Sequence, residues 1–290
     1  MGPPSSLSLA TPQGGRPPTD RRSRIRGGKL ALCRALLAVV CFVGTAAHAG
    51  RPCEDTPQRV TDVQRGLALA EATARRLDAT GAQVVVLARA GQDLSRYGLA
   101  WSHFGYAYRE GDGPKSHWRV VHKLNHCNTD QAALYRQGLA EFFLDRPQRY
   151  EAAFSALSPE AQSKLLPLLR DNRRIDDWHE PRYNMVAYPW STRYQQSNQW
   201  ALETLAGAMD PGAADRRRAQ AWLQLRGYEP TTLRIDPLTR LSGRLTRANI
   251  AFDDHPNHKR FSDRIETVTA DSVFAWLQRS GLGERPVVVR

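Results

Sequence analysis

Cysteine is scarce in this chain of 290 residues: there are four, too few for a disulfide scaffold to stand in for a hydrophobic core. No apolar run reaches the roughly 20 residues that a membrane-spanning helix needs. Internal repeats are absent, and so are low-complexity tracts after residue 50. Lysine is rare, with five against 36 arginines, a bias that we assign to codon composition. An apolar content of 41% with 24% charged residues is ordinary for a packed domain and excludes a disordered or collagen-like chain. The length allows one or two domains. No linker breaks residues 50–290, which we read as a single domain.

The formal charge of +12 suggests a polyanion partner until it is divided along the chain. Residues 1–49 hold seven basic residues and one acid, so half of the excess sits there. The rest is scattered, and its densest run, Arg216-Arg217-Arg218, reads as the solvated face of one helix. Nucleic acid is therefore a poor fit.

Residues 1–49 read as an export signal. A basic stretch from Arg21 to Lys29 precedes an apolar run from Ala35 to Ala47, and Ala47-His48-Ala49 forms a small-x-small cleavage site before Gly50. The expected protein is periplasmic or secreted, with no stable membrane anchor once the signal is cut. Cleavage removes Cys33 and Cys41 and leaves Cys53 and Cys127. In an oxidising compartment these two most simply pair. The competing reading makes Cys127 a reactive thiol between His126 and Asn128.

Hydrophobic periodicity predicts a helix over residues 57–79 and a buried strand over 83–87. Strands over 102–109 and 118–124 follow, joined by a Gly-Asp-Gly-Pro turn at 111–114. Further expectations are a short helix over 134–144, a strand over 150–157, and a helix to residue 172 capped at Ser158. A strand over 183–188, helices through 194–209 and 214–225, a strand over 265–269 and a helix over 271–279 complete the pattern. Residues 229–256 are poorly patterned. Without a regular βαβ alternation, this is an α+β fold with a mainly antiparallel sheet packed with helices.

Strand alternation puts His103, Gly105 and Ala107 on one face and Phe104, Tyr106 and Tyr108 on the other. Small residues beside a histidine leave room for a close neighbour, and His122 on the next strand is placed to orient His103. Ser197 falls in the first turn of a helix, where the dipole favours a developing anion. Sheet packing for the histidines and simple capping for the serine explain the same residues. Trp190 and Arg193, within an aromatic and arginine-rich stretch, suit a glycan or peptide groove and are the candidate substrate-binding residues. Asp253, Asp254, His255 and His258 hold potential metal ligands but lack a spaced third histidine or cysteine, so a hydrated loop is the expectation. Neither a metal nor a cofactor is expected.

The segments Tyr97 to Arg109 and Trp118 to Cys127, the stretch Gly138 to Asp145, and Tyr188 to Tyr194 with Ser197 to Trp200 resemble the secreted bacterial domain-of-unknown-function family 2145. That resemblance covers nearly all of the chain after the signal and implies no particular activity. More remotely, Ser102-His103-Phe104-Gly105, then a strand bearing His122, then the helix after Tyr194 is similar in order to circularly permuted papain-like hydrolases related to the NlpC/P60 amidases. This implies a papain-like scaffold with His103 as base, His122 as its orienter and Ser197 where those hydrolases carry cysteine. The resulting expectation is hydrolysis of an amide or ester bond of an envelope substrate. The alternative is a non-catalytic envelope binding or structural protein on the same scaffold.

Overall fold

The computed structural model describes residues 57–111 and 113–290. The expected signal segment and Cys53 lie outside the described residues. Six strands form one sheet: β1 (Val84–Arg89), β2 (His103–Glu110), β3 (His117–Asn125), β4 (Ala132–Gly138), β5 (Ala152–Ala156) and, near the C-terminus, β8 (Val287–Val289). Their order is β4-β3-β2-β1-β5-β8, and every neighbouring pair is antiparallel. The expected α+β architecture is what the chain adopts.

β1 is buried along its whole length, which is why its Val-Val-Val-Leu run lacks a polar alternation. Helices α1 (Val60–Asp78) and α2 (Leu139–Phe143) cover one face of the sheet. There Leu69, Leu77, Phe142 and Phe143 pack on Val85, Leu87, Ala107 and Val120. The opposite face carries α3 (Pro159–Leu169), α4 (Ser197–Met209), α5 (Arg216–Leu225) and α8 (Ala270–Arg279). Trp200, Ala201 and Leu205 of α4 meet Val84, Val86, Phe104 and Tyr106 in that second core. Burying each such large apolar side chain contributes about 1.5–3 kcal/mol, so the two cores fix which way every strand residue points.

Two sequence expectations fail here. The 134–144 helix is instead strand β4 followed by the single-turn α2, because Ala132–Gly138 adds to the edge of β3 with Tyr135 opposite His122. Pairing on an available edge overrides a weak local helix preference. The 183–188 segment is an irregular loop held by Asn184, whose amide donates to the Ala251 carbonyl at 2.9 Å and accepts from the Val186 and Ala251 N–H groups. The poorly patterned tail forms β6 (Thr231–Arg234) and α6 (Pro237–Thr246), followed by α7 (Asn257–Arg260) and β7 (Arg264–Thr267). β6 and β7 pair as a separate two-stranded ribbon, whose Leu233 and Ile265 pack with Val186 and Phe252.

Candidate functional site

His103 and His122 do meet. The Nε2 of His103 is 2.8 Å from the Nδ1 of His122, and the Nε2 of His122 is 2.8 Å from the Oε1 of Gln137 on β4. An amide oxygen only accepts, so His122 donates from Nε2 and accepts at Nδ1, which makes His103 the donor at Nε2. The unshared pair on His103 Nδ1 then becomes the outer end of the chain. Burial, with the nearby Arg89 guanidinium adding to it, pulls His122 down to about 3. Burial, Arg89 and His122, in that order, hold His103 well below its ordinary value. Both rings are neutral near pH 7, which suits a hydrogen-bond acceptor more than a strong base.

Gly105 makes this approach feasible. A Cβ there would lie 2.7 Å from both the His122 Cβ and the Val121 carbonyl oxygen. The small-residue face expected to receive the Ser197 helix is covered by α1 and α2 instead. Phe142 of α2 closes over the pair, with ring centroids 6.0 Å from His103 and 5.2 Å from His122. Arg89, opposite His103 in the strand register, donates to the Phe142 carbonyl and pairs with Asp145. Its guanidinium also lies 4.8 Å from the centre of the Phe142 ring. Beside these groups opens a pocket of about 290 Å³ lined by Arg89, Leu124, Gln137, Glu141, Leu144 and Asp145.

Ser197 is not part of this constellation. Its helix packs on the Phe104 and Tyr106 face, where the Tyr106 hydroxyl donates to the Ala201 carbonyl at 2.6 Å. The histidine pair lies on the other face, under Phe142. The helix does reach the histidine strand, but through Asn198, whose Oδ1 accepts from the Phe104 N–H at 3.1 Å. The buried Ser197 neighbours Tyr183, whose hydroxyl is pushed up by burial against hydrogen bonding from the Ser197 side chain and backbone. The two histidines expected to meet are therefore in contact, and the expected nucleophile belongs to the helix on the other face. Alternation explains the correction: His103 and Phe104 are sequence neighbours and must face opposite layers.

The remaining candidates sit elsewhere. Trp190 packs edge-on to Tyr228 with ring centroids 6.1 Å apart, and Arg193 pairs with Asp253 at 2.8 Å. The Asp253 to His258 run is not simply a hydrated loop. The side chains of Asp254 and His255 have no exposure, and His255 bridges Asp254 and the Glu266 carbonyl. Asp254 also accepts from the Tyr188 N–H, so the pair clasps the Tyr188 loop to the ribbon. Among the described residues, no three metal-ligating side chains converge. Cys127 lies in the loop between β3 and β4.

Gln137, Arg89, Glu141 and Asp145 were missed as site residues. The last two fall in the Gly138 to Asp145 stretch that carries the family resemblance, but reading β4 as helix hid the face that Gln137 shares with His122. A second polar centre was missed as well. Glu203, fully buried on α4, is held by Arg216, Gln195, Gln199 and Gln220. Arg216 is thus buried rather than solvated. Fully buried Lys123 donates to Gln195 and to the Glu180 carbonyl.

Fold and site together define a two-faced antiparallel α+β protein with a buried, neutral histidine pair at the margin of a small polar pocket. The chain belongs to the bacterial family described as "Uncharacterized protein conserved in bacteria (DUF2145)", whose profile matches residues 76–277. No curated protein and no solved structure matches it.

Proposed function

We propose that this is an exported protein of the bacterial envelope that binds an envelope ligand at the pocket beside the His103–His122–Gln137 chain, without cleaving it through Ser197. One observation carries this reading: His103 and Ser197 belong to opposite faces of the sheet. Nucleophilic catalysis needs the base within hydrogen-bonding reach of the hydroxyl it activates, and His103 spends its Nε2 on His122. The pocket offers acceptors at Glu141, Asp145 and Gln137, and Gln137 links it to the histidine pair. These groups suit a ligand rich in N–H and O–H donors, such as an amine-bearing or amide-bearing cell-wall fragment. The leader before Gly50 supports export, and pairing of Cys53 with Cys127 accompanies it as a proposal.

The test combines a fluorophosphonate probe for activated serines with thermal-shift measurements against short cell-wall peptides and amino sugars. The binding reading expects no label on Ser197, no turnover of ester or amide substrates, and a ligand-induced shift that His103→Ala abolishes. Labelling of Ser197 that depends on His103 would restore the hydrolase and overturn this reading.

A further inference from the structure

We propose that helix α6 docks this protein on an anionic phospholipid surface. The helix is well specified: the Asp236 side chain caps it by accepting from the Thr239 N–H at 2.9 Å, and Pro237 occupies its first turn. It nevertheless buries none of its residues. Leu238, Leu241 and Leu245 recur at helical spacing along one side and are 78%, 55% and 76% exposed. The side turned toward the body carries Gly243, where a Cβ would meet Ile250 at 3.5 Å, and Arg240, which donates to the Arg260 carbonyl. The amphipathic pattern is thus inverted relative to a helix whose apolar stripe faces the core.

The neighbouring short helix α7 extends this surface. Arg240 of α6 donates to the Arg260 carbonyl, and the next residue, Phe261, is 74% exposed. Residues 234–264 contain seven Arg and Lys residues against four Asp; Asp236 caps α6, and Lys259 of α7 is paired with Glu266. An exposed apolar stripe in a region where cations outnumber acids matches an interfacial helix whose leucines enter the acyl boundary beside anionic headgroups. A partner matched by the leucines alone would gain nothing from this cationic excess. The proposal uses a face of the molecule apart from the histidine pocket and stands or falls independently of the ligand-binding reading.

The experiment is co-sedimentation of the full chain with vesicles of mixed phosphatidylethanolamine and phosphatidylglycerol, compared with phosphatidylcholine vesicles. The leader is common to every variant, so the quantity read is the difference from wild type. Leu238→Ser, Leu241→Ser and Leu245→Ser combined are expected to weaken binding to the anionic vesicles by about tenfold or more. Arg244→Gln is expected to weaken it by about fivefold, with raised salt reducing binding further. Thermal melting of each variant should match wild type, since these side chains are solvent-exposed. Equal binding by wild type and the leucine variant would overturn the proposal, as would equal affinity for neutral vesicles. A wild-type dimer that the leucine variant abolishes would also overturn it, by assigning the stripe to a second copy of the chain.

Discussion

The Nε2 of His103 lies 2.8 Å from the Nδ1 of His122, joining a largely buried imidazole to one that has no exposure at all. Both stay neutral in the folded protein, because burial and Arg89 oppose their protonation.

Acid should therefore unfold the protein through these rings. His122 binds a proton near 6.5 when unfolded and only near 3 when folded. The unfolded state holds more protons throughout that window, so stability is complete above it and falls as pH drops through it. His122 alone contributes a slope of up to about 1.4 kcal/mol per pH unit. Urea midpoints measured across this range should decline with acidity, and His122→Gln should flatten the curve. An unchanged slope in that variant would assign the acid sensitivity to other groups.

Gly105→Ala tests the close approach. The added methyl has no room against His122 and the Val121 carbonyl, so β2 and β3 must separate locally, at a cost of about 1–3 kcal/mol. Imidazole resonances of both histidines should move in the same variant. A stable variant with unmoved resonances would show that the hydrogen-bonded pair does not require this contact.

Glu203→Ala should be far more damaging than its distance from the pocket suggests. It strips the carboxylate from Arg216, whose Nε is 2.7 Å away with both side chains buried. Leaving one buried charge unpaired costs about 3–5 kcal/mol. Arg216→Met on top of it should recover part of the loss, as a double-mutant cycle in denaturant would read. Strict additivity of the two losses would mean that the pair is not coupled.

Export predicts two covalent marks. N-terminal sequencing of the protein recovered outside the cytoplasm should begin at Gly50. Mass spectrometry without reduction should find Cys53 and Cys127 joined and no thiol open to alkylation. Intact leader in a membrane fraction, or rapid labelling of Cys127, would contradict these expectations.

Local pattern was enough for much of this protein. The Val84–Arg89 run, the alternation through His103–Glu110 and the capped helix at Ser158 each declare their element, because period, β-branching and a cap act within a few residues. Alternation also put His103 and Gly105 on one face, and a second histidine on the next strand made their meeting legible. The partners beyond were a tertiary decision. β4 is a strand because β3 offers it an edge, and only that pairing brings Gln137 to His122. Ser197 lost its assigned role because helix α4 found its apolar match on the Phe104 face, a choice between two sheet faces that no spacing within the helix encodes. Arg216 likewise looks solvated until α4 presents Glu203 to it. The outward leucines of α6 lie in residues 229–256, whose pattern declared no element, and which side they face was settled only when Gly243 and Arg240 turned toward the body. Sequence determines which residues share a face; packing across the whole chain determines what that face meets.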